Sequence, residues 1–112
     1  MQIISQPTSL IKTWEERVTA FDEILKIVVD VEKSIMAVDA EMHADLEKIL
    51  LEDGSEQQDL WGANVYPLRN RDEYLEFTSF INIRPAIGNR SMEVMDPEIR
   101  QKIQIIVSTL LM

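Results

Sequence analysis

The stretch LKIVVDVEKSIMAVDAEMHA, residues 25–44, is where the hydrophobic period of the chain becomes two. Ile27, Val29 and Val31 alternate with Val28, Asp30 and Glu32. Met36, Val38, Ala40, Met42 and Ala44 then alternate with Ile35, Ala37, Asp39, Glu41 and His43. Successive side chains of a strand point to opposite faces, so this pattern describes strand with one buried face. Glu32-Lys33-Ser34 can turn the chain between the two halves, which predicts a hairpin. Without Gly or Asn at the turn, one long strand is the competing expectation.

Upstream, Met1 to Ser5 reads as a first strand. Pro7-Thr8-Ser9 then starts a helix in which Leu10, Trp14, Val18 and Phe21 recur at helical spacing, ending near Asp22. Downstream, Asp45 can cap a short helix with Leu46, Ile49 and Leu50 as its buried stripe, and Gly54 is its C′ stop. Leu60 to Tyr66 alternates again, with Trp61, Ala63 and Val65 on one face and Gly62, Asn64 and Tyr66 on the other. After a polar loop from Pro67 to Asp72, Tyr74 to Arg84 reads as the longest strand. In it Ile81 and Ile83 point one way and Phe80, Asn82 and Arg84 the other, until Pro85 ends the ladder. Asp96-Pro97-Glu98 opens the last helix with an N-cap, a proline at the first helical position and a first-turn acid. Ile99, Ile103, Ile106, Val107 and Leu110 form its stripe. The order β-α-β-β-α-β-β-α predicts an α+β domain. We expect one antiparallel or mixed sheet of about five strands, with two longer helices and one short helix packed on it.

At 112 residues the chain supports a single core and is read as one domain, 1–112. No apolar run approaches the ~20 residues that span a bilayer, and the N-terminus has neither a basic region nor a long apolar one. Zero cysteines excludes disulfides, thiolate zinc sites and thiol nucleophiles, and cytoplasm is the default location. The net charge of −9 argues against nucleic acid and against anionic lipid. The charge is uneven. Thr13 to Trp61 holds fourteen acids and four basic residues, whereas Leu68 to Ser91 holds four arginines against three acids.

Several motifs together resemble a known group. They are Glu41-Met42-His43-Ala44-Asp45, the run from Gly54 to Asn64, Phe80-Ile81-Asn82-Ile83-Arg84-Pro85, Gly88-Asn89-Arg90-Ser91 and Asp96-Pro97-Glu98-Ile99-Arg100. The chain resembles, over nearly its whole length, a family of small uncharacterised prokaryotic proteins, a domain of unknown function. The resemblance implies a single-domain unit and cytoplasmic residence, and it transfers no catalytic residue.

Strand parity assembles the candidate site. If Met36, Val38, Trp61, Val65, Ile81 and Ile83 face the core, then Glu41, His43, Asn64, Asn82 and Arg84 share the opposite face, which could equally be an ordinary solvated one. Arg84 and Arg90 flank a Gly88-Asn89 loop. A guanidinium suits a carboxylate or phosphate, and such a loop can aim N–H groups at the same anion. Pairing of both arginines with nearby carboxylates, such as Glu41 or Glu93, is the structural alternative. His43, the one histidine, stands two residues from Glu41 and from Asp45. It could be a general base or a metal ligand, although nothing completes a zinc site and no metal is expected. Neither Gly88 nor Gly54-Ser55 belongs to a nucleotide fingerprint, and no cofactor is expected. We therefore expect a binding module that recognises a small anionic ligand or carboxylate through Arg84, Asn89 and Arg90, supported by Asn82, Asn64, Glu41 and His43. The alternative is a small enzyme with His43 and Glu41 as general acid and base. A homodimer is expected from the presence of an edge strand.

Overall fold

The computed structural model describes residues 1–112, and the period-two stretch forms the hairpin. In chain order the elements are strand β1 (Gln2–Ile4), helix α1 (Leu10–Glu15), strands β2 (Leu25–Asp30) and β3 (Ile35–Val38), helix α2 (His43–Glu52), strands β4 (Leu60–Val65) and β5 (Leu75–Glu76), and helix α3 (Pro97–Leu110). Single 3-10 turns lie at Gln57–Asp59, Phe80–Asn82 and Pro85–Ile87. The five strands pair antiparallel in the order β1-β3-β2-β4-β5. The fold is α+β, with its elements in the expected order.

Asp30 supplies the turn chemistry that Gly or Asn would otherwise bring. Its Oδ1 accepts from the Glu32 and Lys33 N–H groups at 2.9 and 2.8 Å, and its Oδ2 accepts from Ser55 Oγ at 2.6 Å. The second strand of the hairpin stops at Val38, not Ala44. Asp39 takes a left-handed φ of 73°, and its carboxylate accepts from Val18 N–H at 2.8 Å and Thr19 Oγ1 at 2.9 Å. The chain leaves the sheet there, and His43 begins α2 instead of ending a strand.

The short helix is the first, not the second. Ser9 caps α1 as expected, its Oγ accepting from Lys12 N–H at 3.1 Å. Arg17 then closes α1 early: its guanidinium lies 3.5 Å from the Trp14 ring centre and donates to the Trp14 carbonyl at 2.8 Å. Val18, expected on the stripe, is 79% exposed. Helix α2 ends on a Schellman motif, with Gly54 N–H on Leu51 O at 3.1 Å, Ser55 N–H on Leu50 O at 2.9 Å and Gly54 at φ 105°. Asp96 and Pro97 begin α3 as expected, Asp96 Oδ1 accepting from Glu98 N–H at 2.9 Å.

Both faces of the sheet are covered. On one, Ile27, Val29, Met36, Val38, Trp61, Ala63 and Val65 pack against Leu10 and Trp14 of α1 and Ile103, Ile106, Val107 and Leu110 of α3. On the other, Val28, Ala37 and Leu60 pack under Leu46 and Leu50 of α2. The parity read from the sequence is right for β3 and β4, but the face opposite the main core is a second apolar layer and not an open polar surface.

The longest expected strand is absent. Only Leu75 and Glu76 pair with β4, opposite Val65 and Asn64. Beyond them residues 77–95 form a strap that folds on itself, with Ser79 N–H on Met92 O and Val94 N–H on Phe77 O, both at 3.0 Å. Within it Ser79 Oγ accepts from Ile81 N–H at 3.3 Å, and Ile83 N–H turns back to Phe80 O at 3.1 Å. The alternation of Ile81 and Ile83 therefore lies on a 3-10 turn, and Ile83 is exposed.

Candidate functional site

Two amides organise the strap, and one of them, Asn82, holds it against the bare edge of β4. Gly62 N–H donates to Asn82 Oδ1 at 2.8 Å and Asn82 Nδ2 donates to Gly62 O at 2.9 Å, so one side chain occupies the place of a neighbouring strand. Asn82 Nδ2 also reaches Met92 O at 3.0 Å. Asn89 Nδ2 donates to the carbonyls of Asn82, Ser91 and Glu93 at 2.8 to 3.0 Å, and its Oδ1 accepts from Met95 N–H at 2.8 Å. Both amides are buried and spend their polar groups inside the chain. Gly62 has to be glycine, because a Cβ there would lie 2.5 Å from Ser79 Cβ.

Arg84 is paired, and its partner is Glu47 of α2 at 3.3 Å; the two side chains are 13% and 15% exposed. Its guanidinium sits 4.9 Å from the Trp61 ring centre, and Nη1 is buried with no partner. Burial pulls its pKa below the ordinary arginine value, and Glu47 opposes that shift. Arg90 is exposed and forms no ion pair. The local excess of arginine has a packing explanation. Of six arginines, Arg17, Arg69, Arg71, Arg84 and Arg100 lie over aromatic rings, and Arg90 alone does not.

Of the other expected residues, His43 lies elsewhere, at the start of α2, with Asn64 in β4 and Glu41 two residues before His43. A cleft of about 230 Å³ lies between that helix end and the strap, lined by Lys26, Met42, His43, Ala44, Ser79, Phe80 and Ile81. No side chain caps α2; Asp45 N–H bonds to Met42 O at 3.1 Å, and the His43 and Ala44 amides before it have no side-chain acceptor. Lys26 Nζ is held at the rim by the Glu41 carbonyl at 2.6 Å. The nitrogen His43 Nε2 lies 2.8 Å from Ala63 O, which assigns the proton of the neutral ring to Nε2. Burial pushes this imidazole below its usual 6.5; Lys26 adds to the shift, while the Ala63 bond and Asn64 oppose it. Asn64 stands directly across from Lys26 in the β2–β4 register. Its Nδ2 donates to Glu76 Oε1 at 2.8 Å, and its buried Oδ1 has no partner.

The model of a family described as "Protein of unknown function (DUF5674)" matches residues 2–110. The chain belongs to that family. No curated protein and no solved structure is significantly similar to it. In this DUF5674 chain the structure splits the expected site: Asn82, Arg84 and Asn89 lie in the strap, with Arg90 exposed beyond them, and His43 lines the cleft, with Asn64 on β4 and Glu41 before α2 outside its lining. The side chains of Glu41 and His43 make no hydrogen bond to each other, and no three His, Asp or Glu side chains converge as metal ligands would. Lys26, Ser79 and Phe80 were missed. Lys26 was legible as the one cation inside the apolar run Ile24 to Val29, but Ser79 and Phe80 reach the cleft only because their segment turns.

Proposed function

We propose that the protein is a binding module for a small anionic ligand, and that the anion sits in the cleft at the start of α2. The observation that carries this reading is convergence. Uncapped helix amides, the Lys26 ammonium, the Ser79 hydroxyl and the His43 imidazole all line one cavity. Helix N-termini favour anions through their free N–H groups and the positive end of the dipole. Lys26 adds a full positive charge, and His43 adds a second when a bound anion raises its pKa and draws a proton. Asn64 beside the ring favours its protonated form. Arg84 is the weaker candidate because Glu47 already neutralises it, and the two buried asparagines are committed to the fold. The unpartnered Arg84 Nη1 favours a second reading, in which an anion displaces Glu47 at the strap.

The enzyme alternative lacks support in the hydrogen bonding, since no carboxylate orients His43. Cytoplasmic residence rests on the cysteine content and the family resemblance, and homodimerisation on the outer edge of β1, the last strand of the sheet.

An amide-resolved NMR titration with sodium acetate at constant ionic strength tests the reading. Shifts are expected at Lys26, His43, Ala44 and Ser79, and they should weaken several-fold in Lys26→Gln. Shifts confined to Arg84 through Arg90 would move the site to the strap, and no saturable shift would end the proposal.

A further inference from the structure

We infer that the ligand of this cleft is a monocarboxylate carrying an apolar body, an alkyl chain or a ring, which lies against Phe80 and Met42. The inference rests on the anion-site reading above and adds the chemistry of the rest of the ligand.

Phe80 is the observation that points to it. The chain has seven aromatic residues, and six carry a cation over the ring: Trp14, Phe21, Trp61, Tyr66, Tyr74 and Phe77. Phe80 carries none and is 77% exposed. It is held out by the 3-10 turn that Ser79 caps, so its exposure is built into the strap and not a frayed end. Met42, also on the cleft wall, is 59% exposed, and Ile81 and Ala44 complete an apolar lining. Large apolar side chains gathered around a concavity mark a binding surface more often than scattered ones do.

The charge of the cleft selects the occupant. Lys26, whose own ring partner is Phe21, and the start of α2 disfavour a further cation beside Phe80, so that ring is left for neutral apolar matter. A cavity of roughly 150 Å³ accepts benzene, and the cleft of about 230 Å³ has room for a ring or short chain beside a carboxylate. A fully hydrated inorganic anion would use the polar end and leave Met42, Phe80 and Ile81 in water. The carboxylate is therefore placed at Lys26, His43 and the Ala44 amide, with the apolar body running outward along Phe80.

Isothermal titration of the full chain with acetate, butyrate, hexanoate and phenylacetate tests this. Affinity should rise by about two- to fourfold per buried methylene. The Met42→Ala/Phe80→Ala variant should lose the chain-length gain while keeping the acetate-induced shift at Ala44, since alanine at the first position before α2 adds no capping group. Both replaced side chains are exposed, and an unchanged melting temperature would verify the fold. Acetate binding that depends on Lys26 with no gain from longer chains would overturn the inference and leave the anion site standing. Failure of every carboxylate to bind would overturn both. Amide shifts at Met42 and Phe80 that depend on protein concentration alone would assign the apolar wall to self-association and likewise overturn it.

Discussion

Gly62 is the residue at which sheet and strap meet. It lies across from Val28 on the face that α2 covers, and its edge N–H and C=O are both taken by the Asn82 amide. An added Cβ would fall 2.5 Å from Ser79 Cβ and 2.6 Å from Ser79 Oγ, closer than packed atoms approach. Gly62→Ala should therefore lift the strap at Ser79 and cost roughly 1–3 kcal/mol. Replacing Ser79 by Gly in the same chain should recover part of that loss. A urea midpoint unchanged by Gly62→Ala would show that the strap is not pressed against β4 as described. The same residue explains why an amide of Asn82, and not a strand, completes the edge. A backbone approaching Gly62 closely needs no side chain in its way, and Asn is the side chain that mimics a peptide group with both a donor and an acceptor.

Among the elements, hairpin, β4 and α3 were legible because their buried residues recur at the period of the element. Trp61, Ala63 and Val65 alternate and do share the core face; Ile103, Ile106, Val107 and Leu110 follow a helix and do bury. The strap was not legible. Phe80 to Arg84 alternates as a strand would, but the pattern cannot reveal that Ser79 and Asn82 spend their side chains on backbone groups and curl the chain. The end of β3 was hidden for a related reason, since Asp39 reaches a loop some twenty residues earlier in the chain. For the site, parity holds for Asn64 on β4 but not for His43, which stands on α2 and not on a strand, and the Glu47 partner of Arg84 on α2 leaves no sign in the sequence pattern. That ion pair fastens the strap to α2, and both side chains are largely out of water. Arg84→Gln and Glu47→Gln should each destabilise by about 1–3 kcal/mol, because each leaves the other charge poorly solvated. The double variant should lose less than the sum of the two by about 1 kcal/mol. Additive losses in chemical denaturation would mean that the two side chains act independently and the strap is held by its asparagines alone.

At the scale of the molecule, a chain of net charge −9 has its cations placed mostly on aromatic rings, where they serve packing. Lys26 lies over Phe21 and also reaches the start of α2. There that lysine, uncapped helix amides and the one histidine meet beside exposed apolar side chains, with Glu41 at the rim giving only its backbone carbonyl. Two apolar layers make this possible: α2 must lie on the sheet to bury Leu46 and Leu50, and that placement carries its N-terminus over Lys26 and Asn64. The sign of the pH dependence follows from His43. Burial favours the neutral ring in the free protein, whereas a bound anion favours the charged ring, so uptake of the anion is coupled to uptake of a proton. Binding should accordingly strengthen as pH falls through the raised pKa of the complex and weaken above it. Because the chain has one histidine, its ring can be followed by NMR without ambiguity. The decisive measurement is the His43 pKa in the free protein and in saturating butyrate. The expected result is a free value below the usual 6.5 that rises on binding; a His43 pKa that saturating butyrate leaves unmoved or lowers would contradict an anion site at the start of α2.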